Sequence, residues 1–368
     1  MGRPDPLMLD LRGAFLGPQG PALLARHQRY GSALARASGD PSAALLVAVP
    51  ARLGLSVGEL AVGSGVNLVS GIPQGSPRFW AKGRPADMRE ARTLWIASDP
   101  FTTGPLQLAA ARRTRSRLQV QAHGDFGIDS GTSTSRYQAA KLRVAQGVLA
   151  RADSVRAVSD AQAESLMRRF KINPSRVFVA PVPLDVAFTE ANYVGVEREP
   201  RVLFVGRLHE ERGLNLWAQT AALIAHRHPD VAIDIVGSGP AEATFRSLLA
   251  GVPNIRWHGS LPPSQVAALM GRSRVLLSTP PSESYGRSLS EALCMGLSVV
   301  ATRTTGAHRL DDSKGVVVAD KAPELAEAVS VALEDSHPLS GSEKFRRTQR
   351  IRDEAAIDAL VGSWLWDG

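Results

Sequence analysis

Glu283 and Glu291 are two carboxylates with seven residues between them, in the stretch Ser278 to Thr302. Glu283 lies just ahead of Gly286, which opens a run of helix formers, and Gly296 closes that run, the asymmetry of a helix with its C-terminal stop. One carboxylate therefore precedes a helix N-terminus and the other follows about two turns later. Uncovered N–H groups and the positive end of the helix dipole point between them. Phosphate suits such an N-terminus, and carboxylates beside it accept hydrogen bonds from sugar hydroxyls. A molecule with diphosphate and polyhydroxyl parts fits the pair; two solvated helix-end glutamates would show the same spacing.

A second charged pair, Arg207 and Arg212, falls between the apolar run Arg201–Val205 and the helical stretch 214–228. Guanidinium forks grip phosphate oxygens two at a time, and backbone N–H groups at the helix mouth would complete an anion site. Isolated arginines at such positions are more often plain surface residues. His123, in His-Gly-Asp-Phe, follows the strand-like run Leu118–Ala122. It is either a satisfied structural histidine or a ligand group at the C-terminal edge of a parallel sheet. Asp125 either caps that loop or meets an acceptor. Gly17 lies in a loop, 13–21, between a strand and a helix, with no full dinucleotide fingerprint around it.

The elements that must position these groups alternate in type. Short β-branched runs at 7–11, 43–49, 66–69, 93–97, 118–122, 154–158 and 177–180 are separated by amphipathic helical stretches, with 70–92 irregular. After a polar stretch without period, 187–200, read as a linker, the pattern resumes with strands at 201–205, 231–236, 255–257, 274–278, 298–302 and 315–318. The reading is α/β with two doubly wound domains, 1–193 and 194–341, followed by a helical tail over 342–368 that ends in Trp364-Leu-Trp366. Those tryptophans suit packing against a domain or anchoring at a membrane interface.

Glu-Ser-Tyr-Gly and Glu-Ala-Leu-Cys-Met-Gly-Leu-Ser-Val-Val-Ala-Thr resemble the donor signature of glycosyltransferase family 4, a Glu-x7-Glu motif followed by a small-residue helix and a buried strand. Gly206-Arg207-Leu is similar to that family's Gly-Arg-Leu…Lys-Gly, with Arg212 where a lysine is usual. Asp-Pro-Phe…Gly and Gln-Ala-His-Gly-Asp-Phe are similar to its N-terminal half. The resemblance implies the GT-B architecture, two Rossmann-like domains facing a cleft, with a C-terminal helix crossing back to the first. It implies a retaining transfer of a hexosyl unit from a UDP- or GDP-linked sugar to an acceptor. Arg207 and Arg212 would hold the diphosphate, Glu291 the ribose, and Glu283 and His123 the donor sugar. Gly17, Gly206, Gly286, Arg287 and Ser288 would line the donor, and Asp125 would face the acceptor. Where the family has a Gly-Gly pair only Gly306 remains, and Ser298 replaces a usual proline.

Composition narrows the classes. At 368 residues with 44% apolar content, two ordinary globular domains are expected. No apolar run reaches a membrane span of about 18 residues, and the lone Cys294 reads as an inert core thiol in a reducing cytoplasm. The formal charge of +8 and the cluster Arg112, Arg113, Arg115 and Arg117 suit a solvated face or an anionic membrane surface. Nucleic acid is not expected, since aromatics are 5% of the chain and none interleave with the basic runs. No Asp-x-Asp occurs, so no metal and no cofactor are expected beyond the nucleotide sugar as co-substrate. A sugar phosphorylase would need a cofactor lysine that the sequence does not offer. A non-catalytic scaffold of the same fold is the remaining alternative.

Overall fold

The computed structural model describes residues 5–9, 20–50, 59–61, 65–72, 93–123, 136–191, 197–310, 315–334 and 341–366. The chain forms two compact units, one of residues 1–126, 131–183 and 354–368, the other of 127–130 and 184–353.

In the first unit the strands are β1 (Asp5–Leu9), β2 (Leu45–Pro50), β3 (Glu59–Ala61), β4 (Val66–Ile72), β5 (Thr93–Ala97), β6 (Arg117–Gln121), β7 (Ser154–Ala157) and β8 (Val177–Val179). They pair in the order β3-β4-β2-β1-β5-β6-β7-β8, all parallel except β3 against β4. The antiparallel β3 escapes a reading of the sequence, being three residues with no alternation to follow. Helices α1 (Gly20–Ser38), α2 (Thr103–Arg113), α3 (Arg136–Leu149) and α4 (Asp160–Phe170) accompany the sheet. Ser159 caps α4, its hydroxyl accepting from the Gln162 N–H.

The second unit's strands are β9 (Glu199–Val205), β10 (Ala232–Val236), β11 (Ile255–Gly259), β12 (Ser273–Ser278), β13 (Ser298–Ala301) and β14 (Val316–Val318), parallel in the order β11-β10-β9-β12-β13-β14. Its helices are α5 (Val186–Thr189), α6 (Leu214–Arg227), α7 (Glu242–Leu248), α8 (Pro263–Gly271), α9 (Arg287–Cys294), α10 (Thr305–His308) and α11 (Ala322–Glu334). Both faces of β9 are covered, which is why its centre reads as an unbroken apolar run. Phe204 joins Trp217 and Phe245 on one face, their rings 5.4–5.7 Å apart. Leu203 joins Leu289, Leu293, Cys294 and Val299 on the other. Each such side chain contributes roughly 1.5–3 kcal/mol by leaving water.

One expectation needs correction, and one open choice is decided. The stretch 187–200 is not wholly without structure: Asp185 accepts from the Ala187 N–H and starts α5, Phe188 packs into the second core, and β9 begins at Glu199. Trp364 is no membrane anchor. It is buried in the first core among Tyr30, Leu34 and Leu360, and its indole N–H donates to Gln119 Oε1 at 2.9 Å. The helix that carries it, α12 (Ser342–Leu365), belongs to the second unit up to Asp353 and to the first from Glu354. Among the described residues no helix is long and apolar enough to cross a membrane.

Candidate active site

In the second sheet the chain winds outward from β9 through β10 to β11, and the other way from β12 through β13 to β14. Adjacent β9 and β12 therefore form the topological switch point, whose C-terminal edge is where open α/β sheets take ligands. The loop after β9 carries Arg207 and Arg212; the loop after β12 carries Glu283. Gly213, at φ 65°, presses against the Thr279 carbonyl, which lies 1.8 Å from where a Cβ would stand. Thr279 Oγ1 returns a hydrogen bond to the Gly213 carbonyl at 3.1 Å. Only glycine permits this seam.

The seam brings Arg212 and Glu283 together. Arg212 Nη1 donates to Glu283 Oε2 at 2.8 Å, with both side chains about three-quarters buried. The two groups assigned to leaving diphosphate and transferred sugar thus share one spot, 71 residues apart in the chain. Arg207 is differently placed. Its guanidinium is exposed and pairs with Glu211, four residues on, at 2.6 Å. Gly206 uses its N–H within the sheet, donating to the Val236 carbonyl at 3.0 Å.

Gly286 caps α9 at φ 71°, leaving the first-turn N–H groups without a side-chain cap. Arg287 and Ser288, both half-buried, sit in that first turn. Arg287 Nε stands 3.0 Å from Glu291 Oε1. Glu291 is buried, and that burial raises its pKa; Arg287 opposes the rise and Asp185 adds to it. Cys294, deeper in the helix, has its thiol pKa pushed up by burial and is unreactive. Gly306 props the Glu283 loop: its N–H donates to the Glu283 carbonyl at 2.7 Å, and a Cβ there would meet the Gly286 nitrogen at 2.6 Å.

Sequence reading missed the residues behind this loop. Arg309 donates to the Tyr285 carbonyl at 3.1 and 3.2 Å and to Ser290 Oγ at 2.6 Å, with its guanidinium 4.1 Å above the Tyr285 ring. Gln349 reaches the Tyr285 hydroxyl at 3.4 Å and Asp353 at 2.8 Å. Together they fix the backbone between Glu283 and α9. No spacing in the sequence announces it, because Arg309 and Gln349 lie on separate elements. His258, near the end of β11, is bound to buried Asp234, which also pairs with Arg201.

In the first unit His123 follows β6, two residues past its end. Its Nε2 is 2.9 Å from Gln121 Oε1, which also accepts from buried Arg156 at 3.2 Å. Arg156 in turn donates to the carbonyls of Ala180 and Pro181 at 2.7 and 3.0 Å. Surrounding protein, then the Arg156 and Arg26 cations, hold the His123 pKa below its ordinary value, so the ring is neutral near pH 7. The ring keeps an exposed face, and water there offsets part of the desolvation. Gly17 and Asp125 lie outside the described residues.

Known proteins bear on this geometry. The fold is similar over 98% of both chains to sucrose-phosphate synthase from Thermosynechococcus elongatus, with a TM-score of 0.72 at 17% identity. It is also similar to Anabaena HepE in complex with UDP-glucose, with a TM-score of 0.67 at 17% identity over 97% of this chain and 98% of that one. Both support the two Rossmann-like domains of the GT-B class. In sequence, 166 residues are 31% identical to D-inositol 3-phosphate glycosyltransferase of Pseudarthrobacter chlorophenolicus, covering 41% of this chain and 40% of that protein. The chain spans about half the length of the curated relatives it matches. Residues 199–335, which hold the β9 and β12 loops and α9, match the family model described as Glycosyl transferases group 1.

Proposed function

We propose that the protein is a glycosyltransferase of family 4, moving a hexosyl unit from a UDP- or GDP-linked sugar to an acceptor with retention at the anomeric carbon. The observation that carries this reading is the meeting of Arg212 and Glu283 at the switch point, beside the uncapped N-terminus of α9. A cation and helix N–H groups suit the departing diphosphate, and a carboxylate suits sugar hydroxyls. Arg207 adds an exposed guanidinium, and buried Glu291 holds the ribose. Preorganised charges of this kind lower a barrier by several kcal/mol. No covalent nucleophile is assigned: the acceptor attacks on the face from which diphosphate leaves. The reading needs no divalent metal, since the arginines supply the charge. His123 is the first unit's candidate for the donor sugar.

The UDP-glucose bound by the HepE neighbour and the glycosyltransferase names of the sequence relatives support a nucleotide-sugar donor here. They favour an enzyme over a scaffold. We further place the protein in the cytoplasm, held to the inner face of an anionic membrane by its +8 charge. Thermal-shift titration with UDP, GDP and their sugars, with and without chelator, tests the donor reading. A ligand at about 100 times its Kd should stabilise by about 2.7 kcal/mol, equally in both conditions. Stabilisation only with added divalent metal would overturn the metal-free site, and none with any nucleotide would overturn the donor site.

A further inference from the structure

At the opposite edge of the first sheet from His123, Arg117, Arg151 and Arg176 line a recess of about 360 Å³ with Asp153 and Trp366. Arg117 opens β6, Asp153 immediately precedes β7, and Arg176 immediately precedes β8, so the recess lies at the strands' N-terminal ends. This is not the edge where such sheets take nucleotides.

The C-terminus of α3 explains part of the charge. Arg151 donates to the Gly147 carbonyl at 2.9 Å, and Arg176 reaches the Ala150 and Leu149 carbonyls at 3.4 and 3.5 Å. Arg117 donates to the Trp364 carbonyl at 2.8 Å. Among the described residues these bonds leave most of the guanidinium N–H groups unused. Asp153 shares the recess but makes no ion pair with the arginines; its Oδ2 accepts from the Leu118 N–H at 2.8 Å. Among the described residues none of the three arginines enters an ion pair. Exposed Arg112, Arg113 and Arg115 run directly into Arg117 and strengthen the field. Trp366 is held at the wall by an edge contact with Phe178, ring centroids 5.5 Å apart.

We propose that this recess binds a phosphate-bearing anion. Three guanidiniums lining one recess without an ion-pair partner match phosphate oxygens, which guanidiniums bind in bidentate fashion. An indole at the wall suits the apolar side of a small polyol or glycerol carrying that phosphate. The volume is near the low end of the roughly 300–1,000 Å³ typical of ligand pockets. That admits a headgroup-sized molecule rather than a whole nucleotide sugar. The phosphate comes either on a lipid headgroup or on a soluble phosphorylated polyol.

The test compares the full chain with Arg151→Glu and Arg176→Gln, both checked for unchanged melting and unchanged response to UDP. Calorimetric titration with glycerol 3-phosphate is the soluble arm. Co-sedimentation with phosphatidylcholine vesicles containing phosphatidic acid, or the same charge as phosphatidylserine, is the lipid arm. The expected result is saturable binding in at least one arm, weakened about tenfold or more in both variants. Preference for phosphatidic acid over phosphatidylserine assigns the lipid source, and glycerol phosphate binding alone the soluble one. Equal binding of both anionic vesicles without a soluble response, binding indifferent to both substitutions, or no binding in either arm would overturn the site. A lost UDP response with phosphate binding intact would count against the donor reading instead.

Discussion

Arg212 and Glu283 are joined by a 2.8 Å ion pair across the seam between the loops after β9 and β12. The cation proposed for diphosphate and the carboxylate proposed for sugar neutralise each other. Donor binding must trade that contact for two others. Glu283→Gln should therefore leave UDP affinity intact or tighten it, while transfer falls by about tenfold or more. Arg212→Gln should weaken UDP by a similar factor. Calorimetry on both single variants and the double variant measures the coupling; independent, additive losses of UDP affinity would refute the shared role.

Glu291 should reveal itself through pH. Burial raises its pKa above 4.5, so the folded protein holds that proton more tightly than the unfolded chain does. Its contribution to stability is full below about 4.5 and is lost as pH rises through the raised value. Above that range burying the group costs stability, which fits a side chain proposed for ligand contact. Glu291→Gln should raise Tm at pH 7, flatten the Tm profile above about pH 4.5, and weaken UDP by about tenfold. A lower Tm with unchanged UDP affinity would show a purely structural glutamate.

His27 predicts acid sensitivity in the first unit. It is buried, its Nδ1 lies 2.6 Å from the Leu23 carbonyl, and burial with neighbouring Arg26 lowers its pKa to about 3. The folded state resists the proton that the unfolded chain accepts near 6.5. Stability from this group is present above about 6.5 and lost as pH falls from there toward 3. Denaturant melts of wild type and His27→Gln across that range should converge at low pH.

Gly213→Ala tests the seam by sterics. A methyl would stand 1.8 Å from the Thr279 oxygen at a positive φ, so a loss of at least about 2 kcal/mol is expected, together with weaker UDP binding. Gly251→Ala is the control: its φ is 88° but nothing lies within 4 Å, leaving only backbone strain of about 1 kcal/mol. Equal melting of the two variants would mean the seam yields freely.

His123→Asn should lower turnover with the true donor while sparing UDP affinity, since no nucleotide contact is assigned to it. Gln121→Leu removes the group that holds its ring and should lower turnover less. Full turnover in His123→Asn would return His123 to a structural role.

Much of this was legible from order alone. Alternating β-branched runs and amphipathic stretches specify a parallel α/β fold because burial on both faces demands it, and Gly286, Gly296 and Ser159 mark helix ends by local stereochemistry. Arg207, Arg212, Glu283 and Glu291 could be named as a set from their spacing and the resemblance it carries. Which of them touch was decided by strand order: β9 and β12 are neighbours only because the sheet reverses there, and pairing across 71 residues leaves no periodic trace. The same reason hid Arg309 and Gln349, whose contacts with Tyr285 join separate elements, and turned Trp364 into core. Local chemistry is written in neighbouring residues; which charges neutralise each other, and which stay free for a ligand, is settled by long-range packing.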